Sequence, residues 1–179
     1  MVLYWRLKRF YQDNGKWIVV RFEPKHYPFY VTDIQYALGD YVNPPPEATC
    51  RSYFDHKLQF YVGTTQKPSN NPNVVQTIQV PQSTPKKAGY GTCTILKQKL
   101  ANPVELKKGE YLFVAIEARA TADGKDMLCV NGTNFNSKTK DSTLYWLSNE
   151  TTPPYTWLTT TFIGLGYDLC VEANGYYNP

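Results

Sequence analysis

The sequence predicts an all-β chain, an antiparallel, jelly-roll-like β-sandwich folded as a single domain. Three observations carry this. Segments of alternating apolar and polar residues recur along the chain, turns rich in Gly, Pro and Asn separate them, and no helical period is sustained. The clearest segment is Ala101 to Ala118, where Leu112, Val114, Ile116 and Ala118 fall on one side and Tyr111, Phe113, Ala115 and Glu117 on the other. Leu112, Val114 and Ile116 are expected between two sheets, with Lys107-Lys108-Gly109 turning a corner in water.

The other elements follow in order. Leu3 to Tyr11 alternates apolar and basic residues and closes on Gln12-Asp13-Asn14-Gly15, a turn signal, so residues 3–23 read as an N-terminal hairpin whose second strand is Lys16 to Glu23. Pro24 ends that strand, and Lys25-His26-Tyr27-Pro28 is a loop that cannot join a central ladder. Phe29 to Gly39 is the next strand, its apolar face on Ile34, Tyr36 and Leu38. A connection with three successive prolines, Pro44 to Pro46, reads as an ordered surface loop tethered by Cys50. Lys57 to Gly63 and Val74 to Val80 are strands, Cys93 to Leu100 another, and Asp123-Gly124-Lys125-Asp126 a turn. Leu144 to Leu147 is short, Pro153 to Trp157 a rigid aromatic loop, and a strand closes the fold within residues 161–173.

A chain of 179 residues is the size of one domain, and 42% hydrophobic, 15% aromatic and 19% charged residues suit a packed β-protein better than disorder or a coiled coil. The net charge of +4 is spread from Arg6 to Lys140. The densest stretch, Arg6-Leu7-Lys8-Arg9 among aromatics, reads as a strand with one solvated face, so no nucleic-acid partner is expected. No run is long and apolar enough to span a membrane, and MVLYWRLKRF carries bases where a signal peptide is apolar, so an exported form would be a mature domain behind an added Met. Four cysteines without a CxxC motif, Cys50, Cys93, Cys129 and Cys170, point to disulfides and an oxidising compartment, with Cys50–Cys93 and Cys129–Cys170 the favoured pairing of three.

The order of segments resembles the jelly-roll β-sandwich accessory modules of secreted bacterial proteins, which are similar to carbohydrate-binding modules. The matching residues are Val20-Arg21-Phe22-Glu23-Pro24, Tyr27-Pro28 leading to Thr32-Asp33-Ile34-Gln35-Tyr36, Leu58 to Gly63, Val104 to Glu117, and the closing Leu144-Tyr145-Trp146, Tyr155-Thr156-Trp157 and Tyr167 to Ala173. The likeness spans about residues 17–175. It implies a secreted or cell-surface module, of bacterial origin, and supplies no shared catalytic motif. Four cysteines, and Ala115 where a Gly is frequent, depart from the pattern.

Enzyme chemistry finds little in the residues. No Gly-x-Ser-x-Gly elbow is present, and the two histidines, His26 and His56, read as loop or strand-end residues. Glu117, Asp168 and Glu172 are the carboxylates that a glycosidase would draw on, and a hydrogen-bonded or solvated sheet face is the preferred reading of Glu117. Asp123 and Asp126 around Gly124 are a weak calcium candidate, better read as a turn, and no cofactor is expected. Aromatic loop residues are the best binding candidates: Tyr27 and Tyr30 from one part of the chain, Trp146, Tyr155 and Trp157 from another, with Phe29, Tyr41 and Tyr145 beside them. Flat rings stack on the C–H faces of sugars, although half or more should be core. Asn131-Gly132-Thr133 and Asn149-Glu150-Thr151 match the N-glycosylation pattern, which is common by chance. The expected function is a non-enzymatic extracellular module that binds a glycan or a cell-surface protein. The alternatives are a self-assembling filament, coat or shell subunit, joined through strands at Met1 to Tyr11 and Asn174 to Pro179, and a carbohydrate-active enzyme.

Overall fold

The computed structural model describes residues 15–42, 49–84, 92–131, 145–159 and 169–178. Their regular structure is strand alone: β1 (Trp17–Phe22), β2 (Phe29–Val42), β3 (Thr49–Cys50), β4 (His56–Gly63), β5 (Val74–Val80), β6 (Thr92–Leu106), β7 (Tyr111–Glu117), β8 (Asp126–Met127), β9 (Tyr145–Ser148), β10 (Trp157–Thr159) and β11 (Val171–Tyr177). A six-stranded sheet runs β10-β9-β1-β7-β4-β5. In the second sheet β2 is flanked by β6 and β11 and continues through β3 to β8. All pairings are antiparallel except β3 with β8.

Period-2 alternation sends Ile18 and Val20 of β1, Leu58 and Phe60 of β4, and Leu112, Val114 and Ile116 of β7 to one side. There they meet Ile34, Tyr36 and Leu38 of β2 with Leu100, Val104 and Leu106 of β6. The seven residues from β1, β4 and β7 are at most 2% exposed, and each such side chain contributes roughly 1.5–3 kcal/mol on leaving water. The expected burial of Leu112, Val114 and Ile116 is therefore met, and the corner Lys107-Lys108-Gly109 is exposed, with Gly109 at φ 86° and Glu110 N–H donating to Lys107 O. Only glycine takes that left-handed backbone without strain.

The opposite face of the six-stranded sheet is covered as well. Trp17, Val19, Tyr61, Phe113 and Ala115 form a second buried cluster closed by Tyr155, with Tyr111 and Trp157 against it. The Tyr61 and Phe113 rings stack at 5.1 Å and 11°. Buried Arg21 lies with its guanidinium 4.8 Å from the centre of the Tyr111 ring and donates to Gln66 O at 3.1 Å. Two connections make this lid, the one after β4 and the one between β9 and β10. They are joined by Tyr155 N–H to Asn70 O and by the Trp157 indole N–H to Ser69 O, both 3.0 Å.

Several expectations need revision. Residues 3–14, the first half of the N-terminal hairpin, lie outside the described residues, and β1 is flanked by β7 on one edge and β9 on the other. The closing strand starts at Val171 and runs to Tyr177, four residues beyond the expected end; residues 161–168 lie outside the described set. Asn174 to Tyr177 is already paired with Asp33 to Phe29 of its own chain, so this segment is not a free arm.

The cysteine pairing is corrected: Cys50 bonds Cys129, with Cα atoms 5.4 Å apart, instead of Cys93. The parallel pairing of β3 with β8 sets Cys50 beside Met127, two residues before Cys129. Cys93 on β6 faces Gly39 on one edge of β2, whereas Cys170 accepts the Ala37 N–H through its carbonyl on the other edge. With β2 between them, the Cα atoms stand about two strand spacings, ~10 Å, apart, beyond the reach of a bridge. Both are free thiols. The same corner is fixed by buried Asp40, whose carboxylate accepts Ser52 N–H at 2.8 Å, the Ser52 hydroxyl at 2.5 Å and the Thr94 hydroxyl at 3.0 Å.

Candidate functional site

At one end of the sandwich the β1–β2 connection and the last residues of β11 draw apart. They leave a cleft of about 610 Å³ lined by Phe22, Glu23, Pro24, Lys25, His26, Phe29, Val31, Leu106, Ala173, Gly175, Tyr176 and Tyr177. Its floor is the edge of the core: Val31 faces Val104 on one side and Gly175 on the other, and Phe29 faces Leu106 and Tyr177. Pro24 interrupts β1's ladder, so Glu23, Lys25 and His26 stand at the rim, all exposed.

One residue sets the aromatic wall. The register of β11 against β2 shifts between Asn174 and Gly175, and a Cβ on Gly175 would lie 2.0 Å from Tyr30 O. This close approach of backbone to backbone requires glycine. Past the shift, Tyr177 takes the inner face with Phe29 and lies 5.1 Å from the His26 ring, while Tyr176, paired with Tyr30, stacks on it on the outer face with ring centres 5.2 Å apart and 21° between planes. Tyr176 and Tyr177 remain 48% and 50% exposed. The Tyr30 phenol reaches Glu105 at 3.4 Å; partial burial first, then the Glu105 charge and this hydrogen bond, raise its pKa. The Tyr27 phenol is also raised, by burial and then by Glu23. The result is an apolar slot with a carboxylate, an ammonium, an imidazole and phenols around its mouth, able to hold one face of a flat or ring-shaped ligand and hydrogen-bond its edge.

The sequence candidates divide. Tyr27 and Tyr30 are half-buried at this end of the molecule, Tyr30 as the support of Tyr176. Tyr155, 7% exposed, and half-buried Trp157 lie 5.1 Å apart in the lid over the other face of the six-stranded sheet. Of Trp146 only the backbone is described, opposite Val19 in β9. Tyr176, Tyr177, Phe22 and His26 were not among the candidates. The signal was present as two adjacent tyrosines after Asn-Gly, a bulge-prone pair near the chain's end.

The remaining polar candidates are engaged in local structure. Asp123 accepts the Thr121 hydroxyl at 2.6 Å and Lys125 N–H at 3.0 Å, bonds that lower its pKa, and Asp126 accepts the Tyr53 hydroxyl at 3.3 Å and pairs with Arg51 at 3.5 Å. Among the described residues no group of three or more His, Cys, Asp or Glu could hold a metal ion. Buried Glu117 accepts Lys57 N–H at 3.0 Å on the outer face of the six-stranded sheet, while Glu172 is exposed on the outer face of the other. The body of the sandwich separates them, and Asp168 lies outside the described residues. His56 is wholly buried: its Nδ1–H donates to Phe54 O at 2.9 Å and its Nε2 accepts the Tyr36 hydroxyl at 2.6 Å, which fixes a neutral tautomer. Burial holds its pKa below the ordinary histidine value. Cys170, half-buried, has its pKa raised by burial first, then by Cys93 and Glu172.

No family model, curated protein or solved structure matches this chain.

Proposed function

We propose that the chain is a non-enzymatic extracellular β-sandwich module that binds a ligand, with a glycan ring as the favoured class, in the cleft between Phe22 and Tyr177. One observation carries this reading: half-exposed Tyr177, set against the His26 ring, borders with its neighbour Tyr176 an apolar cleft of about 610 Å³, within the size range of small-ligand sites. The energetic logic is preorganisation. A ring already fixed by stacking loses little freedom when a ligand covers it, so more of the contact is left as affinity. Glu23, Lys25 and His26 at the rim suit the hydroxyls of a sugar. The reading includes a single domain of jelly-roll type, supported by a chain whose described strands change sheet at β1–β2, β3–β4, β5–β6, β6–β7, β7–β8, β8–β9 and β10–β11. It also includes an oxidising, extracellular setting of bacterial type, supported as to compartment by the Cys50–Cys129 bridge.

The test is a glycan array followed by titration calorimetry on any sugar it identifies. Replacing both Tyr176 and Tyr177 by Ala should weaken binding by at least about fivefold, since each aromatic contact contributes roughly 0.5–1.5 kcal/mol. An array without a hit would remove the glycan class, and a hit whose affinity ignores the double variant would remove the cleft.

A further inference from the structure

Edge strands expose a row of backbone donors and acceptors, and proteins usually blunt them with charge, proline, a bulge or brevity. β10 is a three-residue strand; β6 carries Lys97 and Lys99 and breaks register opposite Thr32; β11 carries Glu172 and shifts at Gly175. β5 differs. Its seven residues, VVQTIQV, contain no charge, proline or glycine, and every one after the initial register shift, Gln76 to Val80, pairs regularly with β4. Among the described residues its other edge has no strand partner. Val75, Thr77 and Gln79 are exposed, Val75 by 53%. High β-propensity without charge is the composition of segments that pair with themselves.

We infer that β5 is a self-association edge that takes β5 of a second copy, antiparallel about a two-fold axis near Ile78. In that register Ile78 faces its own equivalent, Gln76 faces Val80, and Thr77 faces Gln79. Inward-facing Ile78 and Val80, which already pack on the core, then extend its apolar row across the junction, while the outer row matches hydroxyl to amide. A second copy is the occupant because the strand holds no charge to select an acidic or basic partner and meets no like-charge penalty against itself. A chain of net charge +4 whose other long edges carry Lys or Glu leaves this one neutral.

Sedimentation velocity on the intact chain, over roughly 10 µM to 1 mM as befits a small interface, should show reversible dimer formation. Thr77→Lys with Gln79→Lys, which sets lysines opposite one another on exposed positions, should abolish it. A monomer at every concentration, or a dimer that survives the double variant, would overturn the inference. Hydrogen exchange on the unmodified chain gives a second reading: the alternate amides between Gln76 and Val80 that point away from β4 should gain protection as concentration rises, and protection gained elsewhere but not there would overturn it equally. Neither readout depends on the cleft's ligand.

Discussion

Two groups of aromatic side chains lie outside the main core, and they meet opposite fates. On the outer face of the six-stranded sheet, Trp17, Tyr61 and Phe113 are sealed beneath Tyr155 and Trp157. At the end of the sandwich, Phe22, Phe29, Tyr176 and Tyr177 border an open cleft. Composition does not separate them, because both mix phenols with apolar rings. What differs is the lid. The connections after β4 and between β9 and β10 cross one group and bond to each other through Tyr155 and Trp157, whereas the turn at Pro24 to Tyr27 only borders the other. The first group is sealed into the fold and the second stays open to solvent.

The contrast can be broken at its strongest point by truncating one ring from each group. Phe113→Ala should cost about 3–5 kcal/mol in urea denaturation, since the ring is 1% exposed and stacks on Tyr61. Tyr177→Ala, at a half-exposed ring, should change stability by less than about 0.5 kcal/mol. Equal losses would mean that the cleft is core.

Next in size is the bridge that holds the opposite corner. Cys50→Ala with Cys129→Ala opens a sequence separation of 79 and should cost about 2–4 kcal/mol, while the same change at Cys93 and Cys170 should cost far less. Non-reducing peptide mapping with thiol labelling should find one disulfide and two free thiols, Cys93 the faster to react. Gly175→Ala follows, at roughly 1–3 kcal/mol, because the added carbon meets Tyr30 O and must shift β11. It should also displace Tyr176 and Tyr177, so a loss of ligand affinity beyond the stability change would separate wall geometry from mere folding.

The smallest effect is pH. Burial holds His56 neutral, outweighing the bond to the Phe54 carbonyl that favours its charged form, so its folded-state pKa lies below its unfolded value of about 6.5. The unfolded chain therefore takes up the proton first. Stability should be full above about pH 6.5 and fall as the pH drops toward the folded-state pKa, and His56→Gln should flatten that slope between pH 7 and 5 in thermal melts. A slope unchanged by the substitution would assign acid sensitivity to other groups.

Alternation along the chain was enough to place β1, β4 and β7, the buried row Leu112/Val114/Ile116, and the exposed corner at Gly109. A period of two states which residues share a face, and the physics of an extended chain allows nothing else. It does not state what covers that face. Phe113 and Ala115 look the same in sequence whether they meet water or Tyr155, and the lid that buries them comes from residues far along the chain. The disulfide followed the same rule: four cysteines announced bridging, but only the position of β2 between Cys93 and Cys170, and of β3 beside β8, decided which two could meet. The cleft depended on both levels. The sequence by itself supplied Tyr176 and Tyr177 after a glycine; the register shift that turns them against Tyr30 and His26 arises from pairing with β2, a contact between segments some 140 residues apart that no local pattern records.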